Sequence, residues 1–274
     1  MQWSDILALP QPTADAVLRY GTEPSQYGEL RLPQTEGPHK VVVLLHGGCW
    51  ESAYTLDYMR NLAGAITALG FATWSLEYRR LGEPGGGWPG TFLDVGEGID
   101  RLRSLAKAYP LDLMDVTLVG HSAGGHLALW AAGRSQLPAG SEVAQKNPLA
   151  IKAVIGLAAI SDLEVYSAGS GSCNGSALRL MDGPPSKMPQ RYREALPPLP
   201  DSTSVHLVHG CDDAIVPVEM SRRYAGLRPT APAVLCEVPD AGHFDVVVPT
   251  SQAWGAVVKA LGPARYPGRI SPVE

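Results

Sequence analysis

Short apolar runs alternate with longer helix-like segments along most of the chain. The runs consist mainly of aliphatic and β-branched residues, which is typical of parallel strands covered on both faces of a sheet. The strand-like runs span residues 40–45, 71–76, 116–119, 153–157, 205–208 and 233–238, and the helix-like segments span 58–69, 90–108, 123–132, 220–227 and 251–261. Repeated units of a strand followed by a helix predict a doubly wound, mostly parallel sheet.

Two further strand-like segments precede this series and flank a turn rich in Gly, Pro and Ser. They span residues 17–20 and 28–33. Two strands joined by such a turn predict an antiparallel hairpin at one edge of the sheet. The fold class expected from the whole pattern is therefore α/β, with an N-terminal hairpin beside a mostly parallel sheet.

The segment 162–200 interrupts the alternation. It contains a run of Gly, Ser and Ala, a short helix-like stretch and a proline-rich end. Connections of this length between strands are typically lids, binding loops or disordered excursions. Of these three, we favour a small cap over the functional face of the sheet.

Composition limits the class of protein further. The chain has 274 residues, of which 45% are apolar and 18% are charged, so we expect one domain with one sizeable core over residues 1–274. The net charge is −5 and no run of Lys and Arg exceeds two residues, so nucleic acid is not an expected partner. The N-terminal residues lack the pattern of a leader, and no apolar stretch approaches the length of a membrane span. We therefore expect a cytoplasmic protein without membrane contact, while the oligomeric state stays open.

Four cysteines occur in the chain. Cys49, Cys173, Cys211 and Cys236 show no C-x-x-C spacing. A chain of this length does not depend on disulfides for its core. We therefore expect reduced thiols.

A serine lies where the strand-like run 116–119 gives way to the helix-like segment 123–132. It is the centre of the sequence Gly-His-Ser-Ala-Gly, in which it is Ser122. A serine hydroxyl is a weak nucleophile, and it must be exposed beside a base and near backbone N–H groups that stabilise an oxyanion. A sharp turn with flanking glycines meets these needs, so Ser122 is the candidate nucleophile. The alternative is a tight turn between core elements with an incidental serine.

A second glycine-rich motif, His-Gly-Gly-Cys-Trp, occupies residues 46–50 directly after a predicted strand. Active sites of open α/β sheets lie at the carboxyl ends of the strands. Glycine allows the backbone N–H groups of such a loop to approach a substrate closely. These N–H groups are therefore candidates for an oxyanion hole, and the alternative is a loop that only turns away from the sheet.

The last third of the chain offers a base and an acid. His243 follows the last predicted strand, and Gly242 before it frees the backbone so that the imidazole can reach the serine. A carboxylate that fixes the tautomer of this histidine is available at Asp212 or Asp213, after the run 205–208. A helix-capping aspartate and a structural loop histidine are the alternatives for these positions.

These motifs together resemble the α/β-hydrolase superfamily, in which G-x-S-x-G forms a nucleophile elbow. The combination of H-G-G-x-W, G-H-S-A-G-G-H, H-G-x-x-D-x-x-V-P and G-H-F is similar to hormone-sensitive-lipase-like carboxylesterases and to kynurenine formamidases (arylformamidases). The resemblance selects Asp213 over Asp212, and it implies the chain order Ser122, Asp213, His243 for the triad. The H-G-G-x-W form of the first motif favours the formamidases.

The resemblance implies acyl transfer to Ser122, with the amides of Gly48, Cys49 and Ala123 as oxyanion donors. The expected substrate is a small ester or an aryl formamide. The alternatives are a peptidase similar to prolyl oligopeptidases and a ligand-binding protein on a hydrolase scaffold.

Two tryptophans are candidate walls of the substrate pocket, and neither a metal nor a cofactor is expected. Trp50 and Trp88 flank glycine-rich loops, where they either line a pocket or anchor the core. The histidines and carboxylates show no spacing typical of metal ligands.

Overall fold

One eight-stranded sheet organises the protein. The computed structural model of the chain describes residues 1–196, 198–227 and 233–265. The strands are β1 (Ala16–Arg19), β2 (Tyr27–Arg31), β3 (His39–Leu45), β4 (Ala72–Leu76), β5 (Leu111–His121), β6 (Ala153–Leu157), β7 (Ser204–Gly210) and β8 (Val234–Val238). Their order across the sheet is β1-β2-β4-β3-β5-β6-β7-β8.

The pairing confirms the predicted sheet. β1 pairs with β2 and β2 pairs with β4 in antiparallel fashion, and every later neighbour pair from β4 to β8 is parallel. The two antiparallel strands form the hairpin at one edge. The fold is therefore the mostly parallel α/β sheet with an N-terminal hairpin that the alternation of apolar runs predicts.

Helices cover both faces of the sheet. They are α1 (Trp3–Leu7), α2 (Arg60–Ala68), α3 (Gly90–Asp100), α4 (Leu102–Leu105), α5 (Ala123–Gly133), α6 (Leu163–Ser167), α7 (Ser172–Leu180), α8 (Pro189–Glu194), α9 (Val218–Gly226) and α10 (Trp254–Leu261). The predicted helix over 90–108 is divided into α3 and α4 at Arg101. The short α1 lies in a segment for which the sequence pattern predicts no element.

β3 shows how the core is divided between the two faces. Successive side chains of a strand point to opposite faces. Val41 and Val43 belong to a buried cluster with α3, α5 and α9, whereas Val42 and Leu44 belong to a second cluster with α2 and α10. Both faces are therefore apolar, which is why the parallel strands appear in the sequence as continuous apolar runs.

The segment 162–200 forms the three short helices α6, α7 and α8. Of these, α7 contacts the loops that precede α2 and α3. The backbone N–H of Trp88 donates to the carbonyl of Leu180 at the end of α7 (2.8 Å). Arg179 of the same helix pairs with Glu51 in the loop after β3. The segment thus packs over loops at the carboxyl edge of the sheet.

Candidate active site

Ser122 occupies a strained turn between β5 and α5. Its backbone has φ 56° and ψ −119°, a conformation that residues other than glycine rarely adopt. The turn is also crowded, since a side chain at Gly124 would overlap the carbonyl oxygens of Leu45 and His46. Glycine is therefore required next to the elbow, and the turn holds Ser122 at the carboxyl edge of the sheet, where it is 4% exposed.

The loop after β3 bends through three consecutive residues with positive φ. The φ angles are 101° at Gly48, 54° at Cys49 and 58° at Trp50. The loop packs directly on the elbow, because a Cβ added at Gly47 would lie 2.9 Å from the Cβ of Ser122. The glycine pair is needed here for close approach as well as for backbone freedom.

Three backbone amides near Ser122 are available to a ligand. Within the described ranges, the N–H groups of Gly48, Cys49 and Ala123 donate to no other residue. The N–H of Ser122 itself is already used, because it donates to the carbonyl of Leu157 (2.9 Å). The three amides that the resemblance selects as oxyanion donors are thus unpaired, and the first amide of α5 adds the positive end of a helix dipole.

Asp213 and His243 are in direct contact. Oδ2 of Asp213 lies 2.7 Å from Nδ1 of His243. The other carboxylate oxygen, Oδ1, accepts hydrogen bonds from the N–H groups of Ile215 and Val216, both at 2.8 Å. The carboxylate is thereby fixed, and it holds the proton of His243 on Nδ1, which leaves Nε2 as a base. Asp212, the alternative acid, has an exposed side chain.

His209 is a further partner of Asp213 that the sequence motifs do not reveal. Its Nε2 lies 2.8 Å from the carbonyl of Val216 and 3.3 Å from Oδ2 of Asp213. Burial of Asp213 acts to raise its pKa, but hydrogen bonds from His209, from His243 and from the backbone outweigh this effect. The pKa of Asp213 is consequently well below its usual range, and the carboxylate stays ionised.

His121, the residue before Ser122, contacts His243. The rings of His121 and His243 have centroids 4.7 Å apart, and Nε2 of His121 lies 3.0 Å from the carbonyl oxygen of His243. Among the described residues the Ser122 hydroxyl has no hydrogen-bond partner. Hydrogen bonds between a nucleophile and its base are often long in ligand-free sites and shorten when substrate binds.

A buried carboxylate supports the loop after β3. Oε1 of Glu77 lies 2.8 Å from Nε2 of His46, and Oε2 accepts from the N–H of Leu56 (3.1 Å). The next residue, Tyr78, donates its hydroxyl to the carbonyl of His46 (2.6 Å). The two residues that follow β4 therefore fix His46, the first residue of the glycine-rich motif.

Cys49 and Cys173 form a disulfide, so the expectation that all four thiols are reduced is wrong. Their Cα atoms are 5.1 Å apart, although they are 124 positions apart in the sequence. The bridge arises because α7 folds back onto the loop after β3, a contact that cysteine spacing does not predict. Cys211 and Cys236 are free.

A cavity of ≈ 600 Å³ lies between the helices α6 and α7 and the loop after β7. Its lining includes Tyr166, Ile215 and Arg223. Neither Ser122, Asp213 nor His243 lines this cavity. His243 and Phe244 line a second cavity of ≈ 390 Å³, together with Asp212 and Ile215. Trp50, one expected pocket wall, is fully buried and packs in the core instead, whereas Trp88 is half-buried against Phe92 with ring centroids 4.9 Å apart.

Neither a metal-binding cluster nor a membrane-spanning helix occurs in residues 1–196, 198–227 and 233–265. No three His, Cys, Asp or Glu side chains there are arranged to hold a metal ion. No helix in the same ranges is both long and apolar enough to cross a bilayer.

The fold and the elbow define an α/β hydrolase. A family model described as BD-FAE matches residues 29–226, and the chain belongs to this family. Among characterised sequences, the chain is 25% identical over 240 residues to the esterase LipC of Mycobacterium tuberculosis (strain ATCC 25618 / H37Rv). The match covers 83% of this chain but 59% of LipC. The chain thus spans little more than half the length of that relative.

Solved structures share the fold. A truncated form of a carbohydrate esterase from gut microbiota superposes with a TM-score of 0.75 at 19% identity, covering 92% of this chain and 95% of that one. Esterase B from Lactobacillus rhamnosis (HN001) gives a TM-score of 0.73 at 19% identity, covering 94% and 88% respectively. The α/β-hydrolase fold expected from the motifs is confirmed.

Proposed function

We propose that this protein is a serine hydrolase that cleaves small carboxylic esters, with Ser122, His243 and Asp213 as its triad. The observation that carries the proposal is the 2.7 Å contact between Asp213 and His243 at the same sheet edge as the Ser122 elbow. A carboxylate that orients an imidazole beside a strained serine is the arrangement that nucleophilic acyl transfer requires.

The reaction follows from these groups. Nε2 of His243 takes the hydroxyl proton of Ser122, and the serine oxygen attacks the ester carbonyl carbon. The carbonyl oxygen becomes an oxyanion that the N–H groups of Gly48, Cys49 and Ala123 stabilise. The intermediate collapses, the alcohol leaves with the proton from His243, and water releases the acid from the acyl-enzyme by the same steps in reverse.

Asp213 acts through His243. Because its pKa lies well below the usual range, it stays ionised while His243 gains and loses a proton. The negative charge stabilises the imidazolium that forms in each half-reaction. Two backbone amides hold the carboxylate, so its orientation does not depend on the substrate.

The surroundings of the serine favour a small acyl group. Ser122 is 4% exposed and His243 is 6% exposed, so there is little open space next to the nucleophile. The cavity of ≈ 390 Å³ that His243 and Phe244 line can take a larger leaving group, since ligand sites commonly have volumes of this order. The names of the relatives, which include esterases and a carbohydrate esterase, are consistent with an ester substrate.

An aryl formamide is the second candidate substrate. Formyl is the smallest acyl group, and the limited space at Ser122 favours it as it favours acetyl. The H-G-G-x-W motif at residues 46–50 is the sequence feature that supports this reading. An assay of N-formylkynurenine beside p-nitrophenyl esters of increasing chain length distinguishes the two substrates.

The nucleophile itself is tested by covalent labelling. We expect a fluorophosphonate probe to label the wild-type protein on Ser122, and Ser122→Ala to lose both labelling and ester turnover. A ligand-binding protein on a hydrolase scaffold would not be labelled. A prolyl peptidase would be labelled but would prefer a prolyl p-nitroanilide to every ester. Substantial ester turnover by Ser122→Ala would refute the proposal.

A further inference from the structure

A buried hydrogen-bond chain joins the loop after β3 to the loop after β8. The backbone N–H of Gly47 donates to the hydroxyl oxygen of Tyr58 (2.6 Å), and this oxygen lies 2.8 Å from Nδ1 of His121. Nε2 of His121 lies 3.0 Å from the carbonyl oxygen of His243. Tyr58 and His121 are 2% and 1% exposed, so water does not compete for these bonds.

The partners fix the direction of every bond in the chain. A carbonyl oxygen only accepts, so Nε2 of His121 carries the proton and donates to His243. Nδ1 of the same ring is then the acceptor, and the Tyr58 hydroxyl donates to it. That hydroxyl oxygen in turn accepts from Gly47. A single neutral tautomer of His121 satisfies all four groups.

The environment keeps His121 in this neutral form. Burial lowers the pKa of His121 to about 3, and the neighbouring His243 adds to the effect. A protonated His121 would present a second N–H to the Tyr58 hydroxyl, which could no longer donate to it. The direction of the chain therefore persists over the pH range in which His243 has to act as a base.

The hydrogen-bond chain contacts three parts of the proposed catalytic arrangement. Gly47 precedes the oxyanion donor Gly48, His121 precedes Ser122, and the terminal acceptor is the backbone of His243 itself. We propose that Tyr58 and His121 are positioning residues that set the distance between the oxyanion loop, which is the loop after β3 at residues 46–50, and His243. This inference rests on the proposed ester hydrolysis.

The backbone of the oxyanion loop requires an external contact to hold it in place. Three successive positive φ angles follow Gly47, and the intrinsic flexibility of glycine gives such a loop little rigidity of its own. Oxyanion donors act only when they lie within hydrogen-bond distance of the developing charge. A displacement of about 1 Å can reduce turnover about 100-fold. A bond from Gly47 to a buried phenol fixes the residue next to the donor.

Tyr58→Phe tests the proposal with little change in packing. The phenyl ring keeps the contact with Trp3, whose ring centroid lies 5.2 Å from that of Tyr58. The variant removes both hydrogen bonds of the hydroxyl and leaves the N–H of Gly47 unpaired. We expect kcat for a p-nitrophenyl ester to fall about tenfold with KM within about twofold, because the oxyanion forms only in the transition state.

His121→Gln removes the hydrogen bond between Tyr58 and His121 by changing the histidine instead of the tyrosine. The terminal amide of glutamine can occupy the place of Nε2 and donate to His243, but it offers Tyr58 no acceptor at the place of Nδ1. Since both variants break one connection, we expect the double variant Tyr58→Phe/His121→Gln to lose no more kcat than either single variant. This non-additivity is the readout that a merely structural contribution would not produce.

Thr67→Val is the matched control. It is nearly isosteric and removes two hydrogen bonds: the Thr67 hydroxyl donates to the carbonyl of Ala63 (2.9 Å) and accepts from the hydroxyl of Thr73 (3.0 Å). These residues lie in α2 and β4, away from the catalytic loops. We expect a loss of thermal stability comparable to that of Tyr58→Phe, with kcat unchanged within about twofold.

The outcomes separate this inference from the function on which it rests. Unchanged kcat in Tyr58→Phe, or multiplicative losses in the double variant, would overturn the positioning proposal while the wild-type esterase activity stands. Absence of both turnover and fluorophosphonate labelling in the wild type would overturn the proposed function and this inference together. Nitrogen NMR of the folded wild type adds a readout independent of the variants, because a neutral His121 protonated on Nε2 at pH 5 supports the chain and any other form refutes it.

Discussion

Asp213 contacts His243 at 2.7 Å, whereas the neighbouring Asp212 has an exposed side chain. We expect Asp213→Asn to lower kcat for an ester on the order of 10⁴-fold, because an amide can favour the wrong tautomer of His243 and cannot stabilise its charged form. The measurement is steady-state turnover of a p-nitrophenyl ester, with the fold checked by circular dichroism.

Asp212→Asn is the matched control for this substitution. It makes the same chemical change one residue earlier, on an exposed side chain. We expect its kcat to stay within about twofold of the wild type, because Asp213 and not Asp212 contacts His243. If Asp212→Asn were the more damaging of the two variants, the assignment of the acid would be incorrect.

The sequence predicts the position of those candidate site residues that lie in short local motifs. Ser122 lies between an apolar strand and a helix, and the loops that carry Gly48 and Asp213 each follow a predicted strand, so periodicity alone brings them to one sheet edge. These loops lie close together because parallel strands end at the same edge of the sheet, and no specific contact between distant residues has to be known.

The supporting residues could not be found in this way. Tyr58 and His121 are 63 residues apart, and neither position carries a pattern that specifies the other. The same is true of His209, whose contact with Asp213 depends on how the loop after β7 turns. Such contacts arise from tertiary packing, which side-chain periodicity does not encode.

Stability should fall at mildly acidic pH because two histidines are buried in neutral form. Burial lowers the pKa of His121 to about 3 and that of His126 to about 4, against an ordinary value of 6.5. The unfolded chain therefore binds more protons than the folded chain between these values and 6.5, and acid favours unfolding. Each histidine should contribute a slope of up to about 1.4 kcal/mol per pH unit to the free energy of unfolding within this interval.

His126→Gln isolates one of these contributions. The amide can still donate to the carbonyl of Ala195, which Nε2 of His126 contacts at 2.9 Å, but it does not titrate. Urea unfolding at pH 4.5, 5.5 and 6.5 should give a shallower pH slope for the variant than for the wild type. Above pH 7 the difference between the two should be constant, and equal slopes in acid would contradict the assignment.

The elbow should tolerate no side chain at Gly124. A methyl group there would overlap the carbonyl oxygens of Leu45 and His46, at the point where β3 meets the serine turn. We expect Gly124→Ala to destabilise the fold by about 1–3 kcal/mol and to reduce ester turnover sharply, since the strain displaces Ser122. Chemical denaturation and steady-state kinetics measure the two effects.

Gly175→Ala provides the comparison, because the same methyl group would meet open space within α7. Alanine favours a helix over glycine by about 0.5–1 kcal/mol, so this variant should be as stable as the wild type or more so. Equal tolerance of alanine at both positions would show that the turn is less crowded than its geometry indicates.

The disulfide should link the oxyanion loop to the segment 162–200. Cys49 lies in that loop and Cys173 lies in α7, and the bridge joins positions that are 124 apart in the sequence. We expect Cys173→Ser to lower the free energy of unfolding by about 2–5 kcal/mol, the usual range for loss of a native disulfide. Differential scanning fluorimetry with and without a phosphine reductant measures the effect.

The response to reductant separates this bridge from the free thiols. Reductant should lower the melting temperature of the wild type to that of Cys173→Ser and leave the variant unchanged. Cys211→Ser removes an exposed free thiol and should respond to reductant as the wild type does. Because the N–H of Cys49 is itself a proposed oxyanion donor, loss of the bridge should also lower kcat in the folded protein, even where the chain is fully stable. A wild type indifferent to reductant, with all four thiols titratable in the folded state, would show that the two sulfur atoms are not bonded.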